Sequence, residues 1–286
     1  MKVAILGGNG QLGTDVALAF EKTGDDTLRL THADVEIADR DATIQLFRDA
    51  RPQIVVNTAA MHHVEQCEHD PAKAFAVNAI GARNVALAAE DIGAMVFHIS
   101  TDYVFDGGKE TPYNEGDCPK PLNVYGNSKL AGEYFVRTVA RKHFVLRTSG
   151  LYGRAACRAK GRNFVQLMLK LAQDRPELRV VDNERVTPTF TPDVAAQIVA
   201  LRDSDAYGLY HATAESSCSW YEFAREIFTL TRQNVNLQVA GPNEFPAKVP
   251  RPLYSVLENS GLKAIGLNQF RSWRDSLREY LEVSSN

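Results

Sequence analysis

The chain has 286 residues, of which 44% are hydrophobic and 23% charged, with a formal net charge of -3. That length supports a substantial buried core, as one large α/β unit or a core with a smaller lobe, and the composition excludes a disordered or collagen-like chain. The slightly negative balance speaks against a nucleic-acid partner, and no apolar run approaches the ~20 residues that a membrane span needs.

In chain order, Val3–Leu6 is a short apolar run ending in glycines, which predicts a buried strand. Gln11–Lys22 spaces its apolar residues for a helix, and Thr27–Leu30 suits a second strand. Ala42–Ala50 reads as a helix stopped by Pro52, and Gln53–Asn57 as a strongly apolar strand. The alanine-rich stretch Pro71–Ile92 predicts one long helix, closed by Gly93. Met95–Ser100 and His143–Arg147 are further strands, with a helix over Leu122–Arg141 between them. Beyond about Leu151 the rhythm loosens. Helices are expected at Phe164–Gln173 and at Trp220–Thr231, the latter opened by Ser219 with Glu222 three residues on. Asp174–Pro192 and Gly241–Pro252 are polar and punctuated by proline. The β-α-β alternation predicts an α/β fold: a Rossmann-type doubly wound parallel sheet with a smaller C-terminal substrate lobe. Residues 1–150 would form the nucleotide-binding part, and 151–286 mainly the lobe, interleaved with late sheet elements.

The opening Met1-Lys2-Val3-Ala4-Ile5-Leu6 is not expected to be a signal peptide, since its apolar run stops at Gly7. Cys67, Cys118, Cys157 and Cys218 form no Cys-x-x-Cys pair, so free thiols in a cytoplasmic setting are expected. His62, His63, Cys67 and His69 lack a recognised metal-site spacing, and no metal is expected. The basic residues Arg154, Arg158, Lys160 and Arg162 read first as a solvated loop, with an anionic substrate as the alternative.

Two motifs point to chemistry. Gly7-Gly8-Asn9-Gly10-Gln11-Leu12-Gly13 fits both Gly-x-Gly-x-x-Gly and Gly-x-x-Gly-x-x-Gly between a strand and a helix. Glycines permit the tight turn and let backbone approach a pyrophosphate, while the helix N-terminus offers free N–H groups. No acidic residue ends the second strand at Leu28-Arg29-Leu30-Thr31-His32; Glu36 reads as the end of a third strand. NADP is therefore weakly favoured over NAD, with Arg29 or His32 near a 2′-phosphate. The second motif is Tyr125-Gly126-Asn127-Ser128-Lys129, which puts Tyr125 and Lys129 on one helix face. A lysine ammonium there is expected to lower the tyrosine pKa and suit it to protonating a carbonyl oxygen. His98-Ile99-Ser100-Thr101-Asp102-Tyr103 ends a strand in hydroxyls where α/β sheets bind ligands; Thr101 is the first candidate and Ser100 the second. Ser100 lacks the hydrolase elbow.

Together these residues resemble the dTDP-4-dehydrorhamnose reductase family of extended short-chain dehydrogenases/reductases. The densest likeness is His98–Gly107 and Pro121–Glu133. It continues at Arg147-Thr148-Ser149, Asn163-Phe164-Val165, Pro188-Thr189, Gly208–His211, Cys218-Ser219-Trp220 and Arg251-Pro252. The resemblance implies reduction of the C4 ketone of dTDP-6-deoxy-L-lyxo-4-hexulose to dTDP-L-rhamnose, with NADP or NAD as cofactor. It implies Tyr125 as proton donor, Lys129 as its partner and the anchor of the nicotinamide ribose, and Thr101 at the carbonyl. Gly7, Gly10, Gln11, Leu12 and Gly13 would line the pyrophosphate. Glu36 and Ile37 would lie near adenine, and Ala59, Ala60, Met61 and His62 along the cofactor. Thr101, Asp102, Tyr103 and Val64 would face the sugar of a nucleotide-sugar substrate. The chain departs from the family at Gly150, where a tryptophan is common, at Glu36, where an aspartate is usual, and at Asn183–Thr189. Some members bind magnesium at a dimer contact. Asp15 matches one ligand but Pro192 stands where another is expected, so no magnesium dependence is predicted; a homodimer is compatible with the sequence. The rival readings are a reductase or epimerase for another nucleotide sugar, and a non-catalytic NADP-binding subunit like that of methionine adenosyltransferase.

Overall fold

The computed structural model describes residues 1–155, 161–241 and 244–283; Cys157, Arg158 and Lys160 lie outside them. The first strand, β1 (Lys2–Leu6), is apolar and fully covered from Val3 on, as a strand with helices on both faces must be. Helix α1 (Gln11–Lys22) follows, then β2 (Asp26–Leu30) and α2 (Arg40–Ala50). Asp39 caps α2 by accepting from the Ala42 N–H, and Arg51 closes it in the left-handed region just before Pro52. Strand β3 (Ile54–Asn57) is buried throughout and leads to α3 (Val64–His69).

The predicted helix over Pro71–Ile92 forms with one change. Between α4 (Pro71–Phe75) and α5 (Ala82–Ile92), residues Ala76–Gly81 widen into a π turn. Strand β4 (Met95–Thr101), helix α6 (Val124–Val139) and β5 (His143–Thr148) complete the first half. The second half runs β6 (Leu151–Tyr152), α7 (Phe164–Asp174), β7 (Glu177–Val180), β8 (Arg185–Val186), β9 (Thr189–Phe190) and α8 (Thr191–Leu201). It continues through β10 (Gly208–His211), β11 (Cys218–Ser219), α9 (Trp220–Thr231), β12 (Asn236–Val239), α10 (Ser260–Ala264) and α11 (Trp273–Val283). Ser219 and Glu222 form the expected capping box at the start of α9.

Six strands form one parallel sheet in the order β10-β5-β4-β3-β1-β2. The direction of winding reverses at β1, with β2 on one side and β3 on the other. Ligands of such sheets bind at that reversal, outside the carboxyl ends of the strands. The fold is α/β and Rossmann-type, as expected. The third strand is Ile54–Asn57, and Glu36 does not end it: Thr31–Asp39 is a chain of turns, with the Asp34 carboxylate taking the Thr31 N–H and hydroxyl.

Two apolar cores sandwich the sheet. One joins Val16 and Phe20 of α1 to Val194, Ile198 and Leu201 of α8 across Ile5, Val56, Phe97 and Leu146. The other packs Phe47 of α2, Val85 and Ala89 of α5 and Val136 of α6 on Ala4, Val55, Val96 and Val145. A third core lies in the second half, where Tyr152, Phe190, Phe223, Trp273 and Tyr280 meet ring against ring. The second half therefore lends α8 and β10 to the main sheet and builds a body of its own from α7, α9 and α11.

Candidate active site

The glycine loop between β1 and α1 is shaped for close backbone approach. Gly7 has φ +73°, and a Cβ on Gly13 would stand 2.3 Å from the Gly7 carbonyl oxygen. The N-cap of α1 is Gly10, with no side-chain cap, so the N–H groups of Gln11, Leu12 and Gly13 at the helix mouth have no partner from the capping position. A pyrophosphate fits this cradle: free donors, the positive end of the helix dipole and no side chain in the way. The residues thus fit a nicotinamide dinucleotide, with Gly7, Gly10 and Gly13 shaping the loop. The Gln11 side chain turns instead to the carbonyls of Gly153 and Ala155, and the Leu12 side chain joins the core, so only their backbone serves here.

At the far edge of this loop, Glu36 is exposed and accepts from His32, while Ile37 is buried against Gly81 and its carbonyl accepts from Asn84. Arg29 is held by both carboxylate oxygens of Glu21. Past β3, Ala59, Ala60 and Met61 are half-buried and His62 is exposed. Asn78, in the π turn, clamps this segment: its Oδ1 accepts from the Met61 N–H at 2.8 Å, and its Nδ2 donates to the Met61 carbonyl at 2.9 Å. The same Nδ2 donates to the Ser128 hydroxyl on α6 at 3.0 Å.

Helix α6 starts at the mouth of the sheet because Asn123 caps it, accepting from the Gly126 N–H at 2.8 Å. Two glycines let the helix in close: a Cβ at Gly126 would stand 2.2 Å from the Tyr103 carbonyl oxygen, and one at Gly132 would stand 2.3 Å from that of Asn78. Tyr125 and Lys129 then face the end of β4. The Lys129 ammonium is buried and donates to the Ile99 carbonyl at 2.6 Å. Burial lowers its pKa to about 8, against the upward pull of Glu133. Tyr125 is half-buried, and burial pushes its phenol up, partly offset by a hydrogen bond with Thr101 and reinforced by Asp102. Burial dominates here, and the Lys129 ammonium is turned towards the Ile99 carbonyl. The consequence is a phenol held protonated, the form a proton donor must start from.

Thr101 ends β4 and caps the short 3-10 turn Asp102–Val104, accepting from the Tyr103 N–H at 3.2 Å and donating to Asp102 at 3.0 Å. Asp102 is buried among hydroxyls, with Ser149 donating to it at 2.8 Å and Thr101 at 3.0 Å; burial raises its pKa and hydrogen bonding opposes the rise. The Tyr103 ring meets Tyr125 edge-on with centroids 5.8 Å apart. Val64 opens α3, nearly buried. Ser100 is unavailable for a substrate: its hydroxyl donates to Glu133, which also grips Arg147 in a buried two-point ion pair.

His63 caps α3 and Cys67 donates to the Met61 carbonyl, its thiol pushed by burial up to about 11. Among the described residues no three His, Cys, Asp or Glu side chains cluster as metal ligands. Asp15 accepts from Thr191, and Pro192 sits in the first turn of α8. Of the basic loop, Arg154 leans on Glu279 and the Phe190 ring, and Arg162 is exposed. Gly150 adopts φ +56° with the Pro188 Cα 3.1 Å from where a Cβ would stand, so any side chain there would be strained and tightly packed.

Sequence reasoning did not single out Asn78 or the Glu133–Arg147 pair. An asparagine inside an otherwise alanine-rich helix was the available signal, because its side chain gives nothing to the helix itself.

The sequence profile of the RmlD substrate binding domain matches residues 1–286. The chain belongs to this family. A spore coat polysaccharide biosynthesis protein of Bacillus subtilis, SpsK, is 40% identical over 285 residues, covering 100% of this chain and 98% of its own length. Among solved structures, a dTDP-4-dehydrorhamnose reductase of Clostridium acetobutylicum shares 38% identity with a TM-score of 0.95 over 100% of both chains. That of Bacillus anthracis, solved in complex with NADP, shares 37% identity with a TM-score of 0.93 over 98% of each.

Proposed function

We propose that this protein is an NAD(P)H-dependent reductase acting on the C4 ketone of a dTDP-linked 6-deoxy-4-keto sugar, converting dTDP-4-dehydro-L-rhamnose to dTDP-L-rhamnose. The observation that carries the reading is the meeting of Tyr125, Lys129 and Thr101 at the carboxyl ends of the strands, beside the glycine cradle. Relatives named dTDP-4-dehydrorhamnose reductase, 34% identical over 97% of the chain in Sinorhizobium fredii, support the substrate class.

A dihydronicotinamide held in this site would supply the hydride for the sugar C4 and be left as the oxidised nicotinamide. As the C=O π pair moves onto oxygen, Tyr125 gives that oxygen its phenolic proton, and a C4–H and an O–H bond have replaced the carbonyl double bond. The phenolate left behind is stabilised by Lys129, which is largely cationic near neutrality at a pKa of about 8. Thr101 holds the Tyr125 hydroxyl from the side of β4, and Asp102 holds Thr101. The backbone of 10–13 carries the pyrophosphate, 59–62 runs along the cofactor, and Tyr103 and Val64 wall the sugar. The core around Tyr152, Phe223 and Trp273 forms the lobe that supports the substrate side.

Both cofactors are accepted and NADPH is favoured, because no free carboxylate ends β2: Asp34 is taken by Thr31. The reading includes a cytoplasmic setting, which the free thiols Cys67, Cys118 and Cys218 favour, and a homodimer. A second reading, reduction of a different 4-keto-6-deoxy sugar, is favoured by the bare wall at Gly150. Turnover of the dTDP-linked ketone with NADPH, with the product sugar identified by its stereochemistry, separates the two.

A further inference from the structure

Lys129 has a carboxylate one turn along its own helix with which it does not pair. Glu133 follows it by four residues on α6, a spacing at which a lysine and a glutamate can close an ion pair. The Lys129 ammonium donates instead to the Ile99 carbonyl at 2.6 Å. Glu133 is drawn towards the sheet: its Oε1 accepts from the Ser100 hydroxyl and from Arg147 Nε at 2.9 Å, and its Oε2 accepts from Arg147 Nη2 at 2.7 Å. Ser100 and Arg147 stand side by side on β4 and β5, so two neighbouring strands fix the carboxylate. Arg147 is steadied in turn by the Phe105 ring, whose centroid lies 5.1 Å from the guanidinium carbon.

Lys129, Glu133 and Arg147 are all buried, where charges act on one another more strongly than in water. Burial works against the Lys129 charge, and Glu133 opposes that loss. The other titratable groups packed on α6 do not take its place. His98 of β4 is kept neutral by burial, and the Asp102 carboxylate beyond the end of β4 is occupied by Thr101 and Ser149. Burial pushes the Cys67 thiol of α3 and the Tyr103 phenol up, so both stay protonated near neutrality. Glu68 accepts from the Val124 N–H at the start of the helix, Lys73 of α4 is exposed, Arg83 of α5 lies over the Phe135 ring, and Glu90 pairs with Arg141 past the last turn. A carboxylate free to swing would bond the ammonium and draw it from Tyr125; with no carboxylate, burial alone would act on it. A carboxylate tied to β4 and β5 avoids both.

We propose that Glu133 is the positioning residue for Lys129: a countercharge tied to the sheet by Arg147 and Ser100, which keeps the ammonium charged without capturing it from Tyr125. This rests on the reading of Tyr125 as the proton donor and Lys129 as its cationic partner. The test follows Lys129 and the reaction separately. With isotope-labelled lysine, NMR gives the titration of Lys129, its resonance identified by its absence in Lys129→Met; the pH profile of kcat/KM is recorded alongside. In Glu133→Gln the Lys129 midpoint is expected about one pH unit or more below that of the wild type, and the alkaline limb of kcat/KM is expected to move with it. A merely structural role would lower the rate and move neither midpoint. Glu133→Gln leaves the Arg147 charge buried against a weaker partner, so Glu133→Gln/Arg147→Met, which removes both charges, is the second variant, with the same downward shift expected. A Lys129 midpoint that stays at the wild-type value in either variant overturns the proposal. A midpoint that moves by NMR while the rate profile stays in place overturns the part of Lys129 in the reaction, and with it the positioning role. A wild type that leaves the ketone untouched overturns the proposed reaction, and the NMR titration still decides whether Glu133 sets the charge of Lys129.

Discussion

Position 129 is where the chemistry of a single residue is most exposed to measurement. Lys129 has to be charged when Tyr125 gives up its proton, yet burial has lowered its pKa from 10.5 to about 8. Its folded value lies below that of a free lysine, so the charged form is lost as pH rises through about 8. The rate kcat/KM is therefore expected to be flat near neutrality and to fall above about pH 8, a pH at which an unperturbed lysine would still be fully charged. His98, which also senses Lys129, is kept neutral by burial and so adds no competing positive charge near pH 7. A profile that stays level to pH 10 would remove Lys129 from the role of cationic partner.

Helix α6 shows how an element earns its position. Its cap at Asn123, the Gly126 contact with Tyr103 and the Gly132 contact with Asn78 each fix one part of its length. The π turn is the other half of that contact, because Asn78 ties Met61 of the cofactor segment to Ser128 of α6. Gly132→Ala would drive a Cβ to 2.3 Å from the Asn78 carbonyl oxygen. Overpacking of this kind costs about 1–3 kcal/mol, and here it should also weaken NADPH binding by loosening residues 59–62. Denaturant unfolding and NADPH titration of the variant check both effects; an unaltered NADPH affinity would uncouple α6 from the cofactor segment. The helix itself was legible from Tyr125-Gly126-Asn127-Ser128-Lys129 and its neighbours, and so was the capping box of α9. The π turn was not, because one extra residue in a turn leaves the apolar spacing of Pro71–Ile92 nearly intact. Glu36 misled for the opposite reason: Val35 and Ile37 are buried as in a strand, yet they pack from a run of turns. Strands β7, β8 and β9 are two to four residues long, too short for alternation to stand out.

Over the whole molecule, the glycine cradle, α6 and the end of β4 meet because the sheet order brings β1, β3 and β4 side by side. Folding also buries two histidines in neutral form. His211 is held by the carbonyls of Tyr113 and Glu258, with its pKa lowered to about 3 by burial and by Arg147, and His98 is likewise lowered well below 6.5. Below about pH 6.5 the unfolded chain binds protons that the folded chain refuses, so stability falls as pH drops through this range towards the folded values. The raised carboxyls of Asp15 and Asp102 act in the opposite sense at lower pH. The predicted loss between roughly pH 7.5 and 5 is about 2 kcal/mol from His211, with His98 adding in the same direction, measurable by urea unfolding. A stability that does not change over this interval would mean that the two imidazoles are not excluded from protonation.

The central claim is that Tyr125 protonates a sugar ketone as it is reduced. The most direct measurement follows NADPH oxidation by the wild type and by Tyr125→Phe with dTDP-6-deoxy-L-lyxo-4-hexulose, with NADPH affinity determined for both. The account predicts turnover to dTDP-L-rhamnose in the wild type and a loss of about 10²–10⁴-fold in kcat in the variant, at unchanged NADPH affinity. A variant that reduces the ketone at the wild-type rate, or a wild type that binds NADPH but leaves this ketone untouched, would contradict it.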